Sequence, residues 1–182
     1  MLPVGLLMIE HRLIERIIQL WGEELQNIIK CQSINPALFD LSIDFMITYA
    51  DKCHHGKEEG ILFRDLKNKP VAAQLKKILD ELISEHALAR KAMKTLIQAK
   101  NRCAYPDDQS ALNDFTQAIK TITNLYPRHI EKEDKYFFLP CMEYFNAQEK
   151  DKMLEEFREF DQELIHEKYK ASVAHLEASF TK

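Results

Sequence analysis

Apolar side chains recur at three- and four-residue intervals along nearly the whole chain, with Leu, Ile, Lys, Glu, Ala and Gln as the dominant residues. That is the period of helices with one buried face, and only four glycines interrupt it. The pattern breaks at few places. Asn35-Pro36 reads as a helix start with proline at the first helical position, and Pro70, after RDLKNK, is expected to play the same part. Asn101 to Gln109 is the clearest loop, with Pro106 and Asp107-Asp108 supplying turn and capping chemistry. Asn146 followed by Glu149 has the spacing of a capping box for a last helix. The predicted helices cover 5–31, 36–67, 70–100, 108–142 and 147–179. Four long helices with short connections imply an all-α, antiparallel up-down four-helix bundle, with an additional C-terminal helix packed alongside. Pro127 falls inside the fourth helix and is expected to kink or unwind it there.

Composition narrows the classes without naming a chemistry. With 182 residues, 46% hydrophobic and 30% charged, the chain is expected to form one domain over 1–182, its bundle core at about 5–145 and the extra helix at about 147–179. The opening LPVGLLMI is broken by Pro3 and Gly5, lacks a basic flank and stops at Glu10, so neither a signal peptide nor a membrane span is expected, and the chain reads as cytoplasmic. Cys31, Cys53, Cys103 and Cys141 lie far apart with no CxxC spacing and read as buried structural thiols. A net charge of −4 with no sustained basic block leaves no footprint for nucleic acid.

Candidate chemistry appears when the chain is compared with itself. HHGKEEGILF at 54–63 resembles HIEKEDKYFF at 129–138, and the offset is 75 residues. The same offset relates His11 to His86, His54 to His129, Glu58 to Glu133, Glu59 to Asp134 and Glu10 to Glu85. Two helical hairpins therefore repeat, each giving one histidine from its first helix and a His-x-x-x-Glu from its second.

Residues i and i+4 share a helix face, so each His-x-x-x-Glu presents an imidazole and a carboxylate together. Four imidazoles and two carboxylates facing the bundle axis would be costly as free groups. A pair of cations bridged by Glu58 and Glu133, with His11, His54, His86 and His129 around them, removes that cost, and first-row transition metals accept this donor set. Iron is the first choice, with manganese or zinc behind it. One His-x-x-x-Glu alone is an ordinary solvent-facing helix contact, but two pairs and two further histidines at one offset are not. His55, Glu59 and Asp134 are read as solvent-facing or supporting groups, and His166 and His175 as ordinary histidines of the last helix. Phe45, Phe63, Phe137, Phe138 and Phe145 are read as core.

The set His11, His54-His55-Gly-Lys-Glu58-Glu59, Glu85-His86 and His129-Ile-Glu-Lys-Glu133-Asp134, ahead of Phe137-Phe138-Leu-Pro140, resembles the hemerythrin-like, HHE cation-binding family over about residues 5–145. The resemblance implies an up-down four-helix bundle with a non-haem di-iron centre that binds oxygen or reacts with nitric oxide or peroxide. It makes His11, His54, His86 and His129 terminal ligands and Glu58 and Glu133 the bridges, while Asp134 sits at the five-residue spacing of oxygen-carrying members. Those carriers have a fifth histidine through HxxxH on the third helix; here the positions four from His86 are Leu82 and Arg90. The departure implies a position held by water and a site that reacts with oxygen, peroxide or nitric oxide, supplied by an electron donor, in sensing, detoxification or iron handling. A reversible oxygen carrier and a metal-free partner-binding bundle are the alternatives. A ferritin-like site would need paired ExxH motifs, and only Glu163 to His166 fits.

Overall fold

A computed structural model describes residues 2–103, 108–161 and 165–180, and all its regular elements are helices. Helix α1, Pro3–Cys31, starts with proline where no N–H is needed and ends at Gln32, whose φ of 54° lets its N–H close on the Ile28 carbonyl. Helix α2 runs through four pieces in succession: α-helical Pro36–Phe45, π-helical Met46–His55 and Glu58–Phe63, and a final turn at Arg64–Leu66. Asn35 caps it by accepting from the Leu38 N–H. Helix α3 is Ala73–Arg102. Helix α4 comprises Gln109–Lys132, a π-helical turn at Glu133–Phe137 and the closing turn Phe138–Met142, and Asp108 caps its start.

Cross-links show how the hairpins run. Trp21 meets Ser42 while Glu10 meets His54, and Arg102 meets Asp114 while Glu85 meets His129, so chain direction reverses across α1/α2 and across α3/α4. Trp21 Nε1 donates to Ser42 Oγ at 2.8 Å, and Ser42 in turn donates to the Leu38 carbonyl, which satisfies a fully buried indole.

The apolar core divides in two. One cluster gathers Ile14, Trp21, Phe39, Phe45, Phe115 and Ile122; the other gathers Leu7, Leu62, Phe63, Leu82, Phe137 and Phe157. The boundary falls at one level of all four helices. On α1, Glu10 and His11 separate Leu7 of one cluster from Ile14 of the other; on α3, His86 separates Leu82 from Ala89. A buried polar layer thus crosses the bundle.

Several expectations need correction. Pro70 does not open the third helix, which begins at Ala73 behind an extended Ala72. Helix α4 is α-helical straight through Pro127, and its departure from α geometry comes at Glu133–Phe137 instead. The last helix is two: α5, Ala147–Phe160, opened by the Asn146–Glu149 capping box, stops at an extended Asp161, and α6 is Ile165–Phe180. Cys53 and Cys141 are buried as expected, but Cys31 is exposed and Cys103 partly so. Pro106 and Asp107 lie outside the described residues. Among the described residues, no helix is long and apolar enough to cross a membrane.

Candidate metal centre

The polar layer holds His11 from α1, His54, His55 and Glu58 from α2, His86 from α3, and His129 and Glu133 from α4, none more than 4% exposed. Each glutamate lies between histidines of both hairpins. Glu133 has His11 Nε2 at 3.2 Å and His129 Nε2 at 3.3 Å; Glu58 has His54 Nε2 at 3.5 Å and His86 Nε2 at 3.4 Å. The arrangement repeats with the 75-residue offset. Two groups of donor atoms, each within 4.8 Å of one another, can hold a metal: His55, Glu58, His86 and His129, and His11, His54, Glu58 and Glu133. Glu58 belongs to both.

Local backbone explains why neighbouring histidines both turn inward. A π turn inserts one residue into the helical repeat and shifts the inward stripe, and the π-helical segments of α2 and α4 bracket the site. His54 and His55 are each 1% exposed as a result.

Every one of these imidazoles is held from behind by a carboxylate at Nδ1. His11 pairs with Asp134 at 2.7 Å, His54 with Glu10 at 2.9 Å, His55 with Asp51 at 3.2 Å, His86 with Glu59 at 2.7 Å and His129 with Glu85 at 2.9 Å. A carboxylate accepts, so Nδ1–H donates and Nε2 is left as a lone pair aimed into the layer. Cations complete this outer ring: Lys57 on Glu10, Lys132 on Glu85, Arg12 on Asp134, and Arg90 on both Asp51 and Glu59.

The interior fits a metal on its own physical terms. His11 Nε2 and all four oxygens of Glu58 and Glu133 are buried without a hydrogen-bond partner. His86 Nε2 faces His129 Nε2 at 3.2 Å, two lone pairs turned on each other. Burial pushes the Glu58 and Glu133 carboxyls well above their usual range, the charge of Glu58 adding to the effect on Glu133, and burial pushes His54 well below its own, His55 down to about 3 and His129 to about 4. Protons satisfy neither set well, whereas a cation satisfies both. Phe138 stacks on His11 and Phe63 on His86, sealing the layer toward the second apolar cluster.

All six residues expected from the repeat meet in this layer, and Glu59 and Asp134 stand behind histidines as supports. His55, expected with Glu59 and Asp134 to face solvent or to support a ligand, is buried at 1% exposure and stacks on His86 at 3.9 Å between ring centroids. A fifth imidazole therefore enters from α2, while Leu82 is core and Arg90 braces Asp51 and Glu59. His166 and Tyr169 do not reach the layer: Tyr169 donates to Asp44, and His166 pairs with Asp161 and Tyr49. Lys57 and Lys132 also stand at the common offset, a signal the sequence carried in HHGKEEG and HIEKED.

The family model described as the hemerythrin HHE cation binding domain matches residues 2–141. No curated protein and no solved structure matches the chain. The matched region contains both hairpins and the entire polar layer, so the chain belongs to the hemerythrin HHE cation-binding domain family.

Proposed function

We propose that the chain holds a non-haem di-iron centre, with His11, His54, His55, His86 and His129 as imidazole ligands and Glu58 and Glu133 as carboxylate bridges, within a single domain spanning 1–182. The observation that carries this reading is the pair of donor groups sharing Glu58, filled with buried atoms that have no partner. Five imidazole nitrogens and four carboxylate oxygens make nine donors. Two octahedral cations take about twelve, so positions remain for water and an exogenous ligand even with the fifth histidine present.

Iron, when bound, supplies reducing electrons to a small oxidant. The chain's own residues do the rest. The five Nδ1 contacts fix each ring so that Nε2 faces inward. Glu58 joins the two groups, so loss of its carboxylate affects both. Phe63, Phe137 and Phe138 exclude water from one side. The function that follows is reaction with oxygen, nitric oxide or peroxide in sensing, detoxification or iron handling, fed by an electron donor. The donor set, imidazole and carboxylate without thiolate, supports iron ahead of manganese or zinc.

Stopped-flow spectroscopy tests this reading. Ferrous protein mixed with oxygen is expected to pass to a stable ferric spectrum that argon does not reverse. A spectral change that reverses under argon identifies a carrier instead, and that reading has an observation of its own in favour, the fifth imidazole from His55.

A further inference from the structure

The chain after residue 141 lies outside the family match, yet it reaches the polar layer along one line of hydrogen bonds. Lys57 is completely buried and donates to Glu10 Oε1 and, at 2.6 Å, to Asp161 Oδ1 in the segment after α5. Asp161 is itself anchored, its Oδ2 accepting from His166 Nε2 at 2.9 Å, and His166 Nδ1 pairs with the Tyr49 hydroxyl at 3.0 Å. At the inner end, Glu10 Oε2 accepts from His54 Nδ1 at 2.9 Å. Lys57, with one carboxylate on either side, occupies the middle of the Glu10, Asp161 and His166 group, so the line is braced by an ammonium already in place.

The other half of the repeat is built differently. Lys132 is 22% exposed, and its carboxylates, Glu85 and Glu81, both belong to α3. A second observation points the same way. A Cβ at Gly56 would lie 2.7 Å from Phe160 Cζ, so the end of α5 comes down on α2 where α2 has no side chain, beside Lys57. Beyond it, the buried Tyr169 of α6 donates to Asp44 at 2.8 Å and fixes α6 on α2.

We propose that Asp161 is a positioning residue: through Lys57 and Glu10 it holds the His54 ring in place, so that the segment after the family-matched region clasps one half of the metal centre and leaves the other half to α3. The inference rests on the metal centre proposed above. Without Asp161, the buried ammonium has Glu10 as its one remaining carboxylate, and whether Lys57 draws Glu10 toward itself or moves outward, the support behind His54 is disturbed. Supports of this kind carry 10- to 100-fold in metal affinity (roughly, across metal sites) when they are the ligand's own partner.

Titration of the full chain with ferrous iron under argon, followed by calorimetry, tests the proposal. In Asp161→Asn, one of two affinities is expected to fall about tenfold while the other is unchanged. Asp161→Glu is expected to recover most of the loss, and His166→Gln, which removes only the outer anchor, to give a smaller loss on the same side. In the metal-free protein, the 15N ring signals of His54 are expected to move in Asp161→Asn while those of His129 stay. Unchanged affinities, an equal fall in both, or unmoved His54 signals overturn the proposal. Should Asp161→Asn fail to fold, His166→Gln decides by the same criteria. Wild-type protein that binds fewer than two irons contradicts the di-iron reading itself, and the His54 signals of metal-free protein then still decide the positioning role.

Discussion

Glu58 and Glu133 are fully buried, and neither has a hydrogen-bond partner. Groups in that state oppose folding of the metal-free chain, and replacing them by apolar residues of similar volume relieves it. Glu58→Met is therefore expected to stabilise the metal-free protein by about 1–3 kcal/mol in urea unfolding while abolishing the metal pair. Because Glu58 and Glu133 are the proposed bridges, Glu58→Ala and Glu133→Ala are each expected to lose more metal than Glu59→Ala, which removes only the support behind His86. Elemental analysis of the three variants checks the order; equal retention contradicts it. His55→Ala is expected to weaken binding at the group it shares with His86 and His129. These residues were unequally legible in the sequence. Five pairs at one offset exposed the six expected residues and four of their supports, Glu10, Glu59, Glu85 and Asp134, whose roles needed the fold. His55 stands opposite Ile130 in the repeat, so nothing in the pattern marked it.

Among the elements, the body of α1 and the start of α2 were readable because their signals are local: Asn35 and the buried Leu7, Ile14, Trp21 and Ile28 act within a turn or a face, whereas Pro3, expected as a break, opens α1. The π-helical turns were not, since an i→i+5 segment leaves no distinct periodicity in so short a run, and they are what brings His54 and His55 inward together. The break at Asp161 was also hidden, because it depends on Lys57 and His166 far along the chain. Asp161 carries a pH signature. Burial alone would raise its carboxyl, but hydrogen bonds from His166 and Lys57 outweigh that and hold it at about 2, below its ordinary 3.8. Its contribution to stability is therefore complete above pH 3.8 and is lost as pH falls toward 2. The stability gap between wild type and Asp161→Asn is expected to close over that interval in acid unfolding, and a constant gap contradicts the pairing. On α2, Ser42→Ala strands the Trp21 N–H of α1 in the core and is expected to cost about 1–3 kcal/mol.

Across the whole molecule, two apolar clusters are joined by a layer of imidazoles and carboxylates, so the bundle is divided at its middle unless something bonds the layer together. A cation that binds the folded chain and not the unfolded one stabilises it by mass action, about 4 kcal/mol when its free concentration is 1,000 times Kd. Removing metal with a chelator is thus expected to lower the melting temperature of wild type by many degrees and of Glu58→Met hardly at all, a contrast calorimetry reads directly. The central claim is that the layer holds a pair of metal ions bridged by Glu58. The most direct measurement is elemental analysis of the full chain after iron-replete expression and saturation: the account predicts two irons per chain, and a plateau at one, or a metal-free protein, contradicts it.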